Sequence, residues 1–314
     1  MDARKAGISI VLLSAVVVAF ESVAVEGALN IARIDVFVVS AIPPIIGGLI
    51  LLGIQPRKTR AFIGTLGVSG WAKMVVLGAL VGAGVLLWFD AVARIGASKE
   101  AILGGGSSEV LFVVLLSALL LGERLTKIEV FGSVLILGGV FVVLTNTSTV
   151  SLSIGFGEIE AIISSLILGC SVVYTTHLLR DYDLTRLSGL ELFFSGVVVL
   201  AAGAALGLLE WPKDSTGWLI LVLIGLFPAL GLGTYNSGLI RIGASLTSVL
   251  FALSGILTVG AQLIVLAFAP NAELMLPQSV PLAVLGGVVA FVGVYLLNRP
   301  AGEKHVDESA EGEI

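Results

Sequence analysis

Long apolar stretches alternate with short charged clusters along almost the whole chain. The stretches are about 17–25 residues long, which is the length at which an α-helix crosses the hydrocarbon core of a bilayer. Only 12% of the 314 residues are charged, which is about half the fraction found in an average soluble domain. The pattern therefore predicts an all-α integral membrane protein.

The apolar stretches predict ten transmembrane helices, joined by short connections that carry proline and charged residues. The connection after the second helix, for example, reads Gln55-Pro56-Arg57-Lys58. Residues 300–314 are polar and acidic, and they are predicted to form a disordered cytoplasmic tail. The predicted helices span residues 7–28, 35–54, 71–93, 98–121, 128–146, 157–179, 187–209, 216–240, 244–268 and 281–298.

The distribution of lysine and arginine predicts the orientation of the helices. Cytoplasmic loops of membrane proteins carry an excess of these residues. With ten helices and a cytoplasmic N-terminus, thirteen of them lie inside and only Arg33, Arg94, Lys99 and Lys213 lie outside. We therefore expect a multi-pass protein of the plasma membrane with both termini in the cytoplasm.

The sequence Arg-Ile-Gly-Ala-Ser occurs twice, at residues 94–98 and 241–245. The glycine-rich stretch 132–144 likewise aligns with 286–298. These matches predict two repeats of five helices, at residues 1–149 and 150–299. Because five is an odd number, the second repeat would enter the membrane inverted. Inverted repeats are typical of secondary transporters, in which the two halves rock around a central site.

The stretch from Trp88 to Leu125 resembles the EamA-type repeat of the drug/metabolite transporter superfamily. It has a Gly-Ala-Ser junction, then a helix that ends in Leu-Gly-Glu-Arg-Leu-Thr at residues 121–126, and then a glycine-rich helix. The second half repeats the junction at 243–245 and the glycine-rich helix. The resemblance implies a transporter of a small organic solute. The chain lacks the proline that many members carry in helices 4 and 9, so no particular substrate is transferred from the family.

Glu109 is the first candidate for a substrate-binding or proton-coupling group. It follows Ser108 near the middle of the fourth predicted helix, where a carboxylate facing lipid would cost about 2.5 kcal/mol or more. It is therefore expected to face the interior and to bind a substrate cation or a proton. Glu21 in the first helix is a second candidate. The alternative for Glu109 is a structural carboxylate that is hydrogen-bonded to neighbouring helices, and the alternative for Glu21 is a solvated or paired group. Glu26 is expected to lie at the membrane interface.

Aromatic and amide side chains complete the predicted binding site. Trp88 and Tyr235 are equivalent in the two repeats, and an interfacial aromatic belt is the alternative for them. Tyr174, Asn236 and Ser108 are further candidates in helices 6, 8 and 4. Gln262 is expected to join two helices by a hydrogen bond rather than to bind substrate.

Four charged residues near helix ends are expected to be structural or to act in gating. Asp90 and Arg94 are four residues apart, so they can form an ion pair on one face of a helix. Glu123 and Arg241 are expected at the rim of the membrane, as is Arg94.

The sequence offers no pattern for enzymatic chemistry. Gly104-Gly105-Gly106 lacks the Lys-Ser/Thr of a phosphate-binding loop, and the single cysteine, Cys170, cannot form a disulfide within one chain. We therefore expect no cofactor, no metal and no nucleic-acid partner. The predicted function is secondary transport of a metabolite, amino acid or drug-like compound, with protons as a candidate coupling ion and a homodimer as a candidate assembly. A cation channel on the same fold, and an intramembrane enzyme or non-transporting subunit, remain alternatives.

Overall fold

A computed structural model describes residues 3–121, 127–146, 151–152, 154–178 and 181–297. The described residues are almost all helical. The only strands among them are the two-residue strands Thr145–Asn146 and Ser151–Leu152, which pair with each other antiparallel. Two short π-helical segments, Gly27–Ile31 and Gly104–Ser108, interrupt the α-helices. The α-helices are α1 (Ala3–Glu26), α2 (Val36–Gly53), α3 (Pro56–Thr65), α4 (Val68–Ile95), α5 (Ala97–Leu103), α6 (Glu109–Leu121), α7 (Lys127–Leu144), α8 (Phe156–Leu178), α9 (Leu184–Leu206), α10 (Ser215–Ile224), α11 (Leu226–Phe251), α12 (Leu253–Phe268) and α13 (Val280–Leu297).

Six helical segments within the described residues are long and apolar enough to cross a membrane. Three more apolar helices are shorter, at Val130–Val143, Leu253–Phe268 and Val280–Leu296. The chain is therefore a multi-pass membrane protein. The six long segments are Arg4–Ile31, Val36–Gly53, Val68–Ile95, Phe156–Leu178, Leu184–Leu206 and Ser215–Ile242.

Aspartate side chains fix the start of three helices. Asp35, Asp183 and Asp214 each precede a helix and accept a hydrogen bond from the backbone N–H three residues later, at 3.2, 3.2 and 2.7 Å respectively. An N-cap of this kind satisfies one of the N–H groups that have no partner in the first turn. These caps place the first residues of α2, α9 and α10.

Three features differ from the sequence prediction. The connection after the second helix is itself a helix, α3, and Pro56 stands at its start, where its fixed φ suits the first turn. The predicted helix 98–121 is interrupted by the π-helical segment that contains three glycines. The predicted boundary between helices 8 and 9 is displaced, because α11 continues to Phe251 and helical turns break instead at Gly225 and Ala252.

Helices of the first half pack mainly on helices of the second half. Each of these pairs either joins two repeat-equivalent helices or is matched by a second pair, in which the equivalent helices have changed halves. Helix α1 packs on α11 and α12, while α8 packs on α4 and α6. Helix α2 packs on α9, and α7 packs on α13. The packing of the helices therefore follows the sequence repeat.

Glycine contacts between α7 and α13 show the same exchange at the level of atoms. A Cβ on Gly286 would lie 2.7 Å from the carbonyl oxygen of Gly139, and one on Gly293 would lie 2.6 Å from that of Gly132. Gly286 and Gly293 align with Gly132 and Gly139 in the sequence repeat. Small residues allow this approach, which is how helices pack closely in lipid.

Candidate functional site

A cavity of about 170 Å³ lies between the two halves of the molecule. Its walls come from both halves, with side chains from α1, α4, α5, α8, α9, α11 and α12 among them. Four of the residues that line it are acidic, and none of the described lining residues is lysine, arginine or histidine. The acidic residues are Glu21, Glu100, Glu109 and Glu191.

Glu100 is almost completely buried, with 1% of its surface exposed. The indole Nε1–H of Trp88 donates a hydrogen bond of 2.6 Å to its Oε2. Its other oxygen, Oε1, lies beside Gly104, where a side chain would collide with it and would come within 3.3 Å of Ser165 Oγ. The π-helical glycine therefore leaves the space that this carboxyl group occupies.

Glu191 is also buried, with 4% of its surface exposed. The Thr175 hydroxyl donates a long hydrogen bond of 3.5 Å to Oε1. The second oxygen, Oε2, is buried without a hydrogen-bond partner within the part of the chain that the structure describes. One carboxyl oxygen in the cavity wall is thus left unsatisfied.

Of the predicted site residues, Glu109, Glu21, Trp88 and Tyr235 line this cavity. Tyr235 packs edge-on against the Phe251 ring, with the centroids 4.9 Å apart. The structure brings these four side chains together, and their role in binding stays a prediction.

Three other predicted site residues lie elsewhere. The Asn236 side chain is buried and donates a hydrogen bond of 2.7 Å to Ser188 Oγ. Tyr174 packs against an apolar cluster that includes Met74 and Leu77. The Ser108 hydroxyl donates to the carbonyl oxygen of Leu103 in the π-helical segment. Each of the three is engaged in local packing or hydrogen bonding, and none is among the lining residues.

Sequence reasoning missed Glu100 and Glu191. Glu100 follows Lys99 near the predicted junction of two helices, and nothing in its local sequence distinguishes it from a charged helix end. Glu191 lies within the apolar run of α9. The cost of a carboxylate in lipid, which singled out Glu109, applies to Glu191 equally and was the available signal.

The predicted ion pair between Asp90 and Arg94 is confirmed, with Arg94 Nη2 2.9 Å from Asp90 Oδ2. Arg94 Nε also lies 3.0 Å from Glu160 Oε2 at the start of α8, and Lys99 pairs with Glu158. These contacts tie α4 and α5 to α8. Arg241 is exposed on α11, and Glu123 lies outside the described residues.

Glu26 is buried at 0% exposure, so its predicted interfacial position is wrong. Its carboxylate accepts hydrogen bonds from Ala97 N at 3.1 Å, Met275 N at 2.5 Å and Gln262 Nε2 at 2.5 Å. These donors satisfy the carboxylate inside the protein, which removes the need for water. The prediction that Gln262 joins helices is confirmed by the same contacts.

Comparisons with known proteins agree with this architecture. The model of the EamA-like transporter family matches the chain twice, at residues 5–145 and 155–299. A crystal structure of another protein superposes with a TM-score of 0.62 at 19% sequence identity, covering 93% of this chain and 96% of the other, which shows a shared fold. A search of curated proteins finds no match. Because the two family matches cover nearly the whole chain, the protein belongs to the EamA-like transporter family of the drug/metabolite transporter superfamily.

Proposed function

We propose that this protein is a secondary transporter that carries a small, positively charged or zwitterionic organic solute across the plasma membrane by alternating access. The observation that carries the proposal is the cavity between the two halves, which contains four carboxyl groups and no basic side chain among its described lining residues. A metabolite, an amino acid or a drug-like amine could present the cationic group that such a site requires.

The physical reason for a cationic ligand is the cost of burying carboxylates. A buried charge is unfavourable unless a partner charge and hydrogen bonds compensate for its lost hydration. Glu100 and Glu191 have one donor each in the described structure, Trp88 and Thr175. An ammonium group would supply the missing positive charge. A proton would also neutralise a carboxylate, so protons and substrate would compete, and this competition can couple transport to a proton gradient.

The topology that this mechanism needs is ten membrane crossings in two inverted five-helix repeats. The exchange of packing partners between the halves supports the repeat, and so do the two family matches. The bias of lysine and arginine supports cytoplasmic termini. Two inverted halves around a central site can then open it to each side in turn.

The test is transport by the purified protein in proteoliposomes, with solutes first selected by thermal shift, since a bound ligand raises the unfolding temperature. Glu109→Gln keeps the size of the side chain but removes the charge. We expect it to reduce uptake of a cationic solute by at least about tenfold, the factor that corresponds to the loss of one charged hydrogen bond.

Glu210→Gln, at an exposed glutamate outside the helices, is the matched control and should transport normally. Normal transport by Glu109→Gln would contradict the central role of that carboxylate. An electrogenic flux of inorganic cations without any organic solute would instead support a channel.

A further inference from the structure

The carboxyl groups of the cavity lie at different heights along helix α8. A Cβ added to Gly104 would touch Glu100 Oε1 and would lie 3.3 Å from Ser165 Oγ. Glu100 therefore lies at the level of Ser165. Glu191 lies at the level of Thr175, its hydrogen-bond donor. Ser165 and Thr175 belong to one uninterrupted α-helix, and ten residues of such a helix span about 15 Å. The two carboxyl groups are therefore near opposite ends of the cavity.

Glu109 lies on the Glu100 side of this span. Its backbone carbonyl is 3.4 Å from the point where a Cβ on Gly169 would sit, about 9 Å from the level of Thr175. Glu100 and Glu109 also interact electrostatically. One end of the cavity thus has two carboxyl groups and the other end has Glu191, while Glu21, the fourth carboxyl group, lines the cavity from α1.

Mostly apolar side chains, together with Ser171, line the cavity between these two ends. Leu168 and Val172 of α8 lie between the levels of Ser165 and Thr175, and Val81 and Val85 line the cavity from α4, which packs on α8. Hydrocarbon gains free energy when it leaves water for such a surface. The wall therefore suits methylene groups in the middle of a ligand and charges at its ends.

The unsatisfied oxygen of Glu191 indicates that this end of the cavity binds a ligand group. Oε2 is buried and has no hydrogen-bond partner among the described residues, although the side chain lines the cavity. A buried acceptor left unpaired is costly. An ammonium group from the ligand would satisfy it, and the same ligand would reach the other end of the cavity.

We infer that the substrate is a linear aliphatic polyamine, with one ammonium group at Glu100 and Glu109, another at Glu191, and its methylene chain along the apolar wall. The inference rests on the proposed function and names the substrate class of that same cavity. The required separation of the two charges is roughly 9–15 Å. An extended chain gains about 1.2 Å per bond. Terminal nitrogens nine bonds apart with only methylene groups between them, as in 1,8-diaminooctane, are therefore separated by about 11 Å, whereas the five bonds of 1,4-diaminobutane reach only about 6 Å.

The experiment compares 1,8-diaminooctane, 1,4-diaminobutane and butylamine as ligands of the purified full-length protein, by calorimetry and by counterflow in proteoliposomes. Wild-type protein should bind 1,8-diaminooctane at least about tenfold more tightly than butylamine, because one more charged contact forms. The affinity for 1,4-diaminobutane should lie close to that for butylamine.

Two variants locate the ends of the ligand. Glu191→Gln should weaken 1,8-diaminooctane binding by about 10- to 100-fold and leave butylamine within about twofold, since a monoamine binds preferentially at the end that has two carboxyl groups. Glu109→Gln removes one of those two carboxylates and should weaken both ligands, and Glu210→Gln should change neither. Circular dichroism of each variant checks that the helices are intact.

The outcomes separate this inference from the proposed function. If 1,8-diaminooctane and butylamine bind equally, or if Glu191→Gln leaves their ratio unchanged, the polyamine assignment is wrong and the transport of cationic solutes stands. If no amine binds or exchanges while a neutral or anionic solute is transported, both the polyamine and the cationic-solute proposals are wrong.

Discussion

The two copies of Arg-Ile-Gly-Ala-Ser have identical sequences and different backbones. In the first copy, α4 ends at Ile95, Gly96 adopts a φ of +81°, and a new helix begins at Ala97. In the second copy, α11 continues through residues 241–245 to Phe251. Five residues therefore do not decide between a break and a continuous helix at this junction.

Tertiary contacts explain the break in the first copy. The Met275 carbonyl oxygen packs so closely on Gly96 that any side chain there would collide with it, and Glu26 accepts a hydrogen bond from the Ala97 N–H. Gly7 packs against Arg241 and Ile242 as Gly157 packs against Arg94 and Ile95, so residues of α1 and α8 whose numbers differ by 150 are equivalent. Thr176 therefore occupies the position equivalent to Glu26. Thr176 is exposed and donates to its own helix, at the carbonyl of Val172. The second copy thus lacks the acceptor that the first copy uses.

The chemistry around the two arginines differs as well. Arg94 pairs with Asp90 and Glu160, whereas the positions equivalent to these acids near Arg241 hold Ser237 and Ile10. The backbones still approach in the same way: a Cβ on Gly157 would lie 2.9 Å from Arg94 Cβ, and one on Gly7 would lie 3.2 Å from Arg241 Cβ. Among the described contacts, ion pairs hold Arg94 to α8, whereas the equivalent approach of Gly7 is to the apolar side chain of Ile242, although the repeat is the same.

The largest effect is expected from Glu26→Ala, because three donors, two of them on the buried residues Ala97 and Gln262, lose this acceptor at once. Unpaired buried donors cost about 1–3 kcal/mol each, partly offset by the removal of a buried carboxylate. We expect a loss of about 3–5 kcal/mol in the free energy of unfolding, measured by denaturation in detergent. Thr176→Ala, at the equivalent exposed position, should change it by less than about 0.5 kcal/mol. Similar losses for the two variants would contradict the difference between the junctions.

The next effect is expected from alanine in place of the two junction glycines. Gly96→Ala forces a Cβ into a left-handed backbone and against the Met275 carbonyl, which should cost about 2–4 kcal/mol of unfolding free energy. Gly243→Ala places alanine inside a continuous helix, where alanine is favoured over glycine by about 1 kcal/mol. Thermal unfolding of both variants tests this, and equal destabilisation would show that the second junction is also broken.

The sequence was sufficient to locate the apolar helices, to predict that Glu109 faces inward, and to name Glu21 as a second candidate for the cavity. These inferences depend on local composition and on the cost of a charge in lipid. The ion pair between Asp90 and Arg94 was predictable for the same reason, since both residues lie on one helix four positions apart.

Contacts between distant segments could not be predicted in this way. Glu26 was expected at the membrane interface, but Met275 and Gln262, far away in sequence, supply the donors that bury it. Glu100 enters the cavity because the π-helical glycines make room for it. Hydropathy identifies a helix without fixing its rotation, so the cavity emerges only when the helices are packed together.

The smallest effect concerns the ion pair itself and is measured as a coupling energy. A double-mutant cycle with Arg94→Gln and Glu160→Gln should give a coupling of about 1 kcal/mol in the free energy of unfolding, because Glu160 is buried while the Arg94 side chain is 48% exposed and partly hydrated. The matched cycle at the other end, with Arg241→Gln and Ile10→Ala, should give a coupling close to zero because no charge faces the arginine from that position. A coupling at Arg241 as large as that at Arg94 would mean that the two ends are chemically equivalent. A coupling confined to Arg94 would mean that apolar contacts hold the Arg241 end. Raised ionic strength should then weaken only the contacts around Arg94, since salt screens exposed ion pairs and leaves apolar packing largely intact.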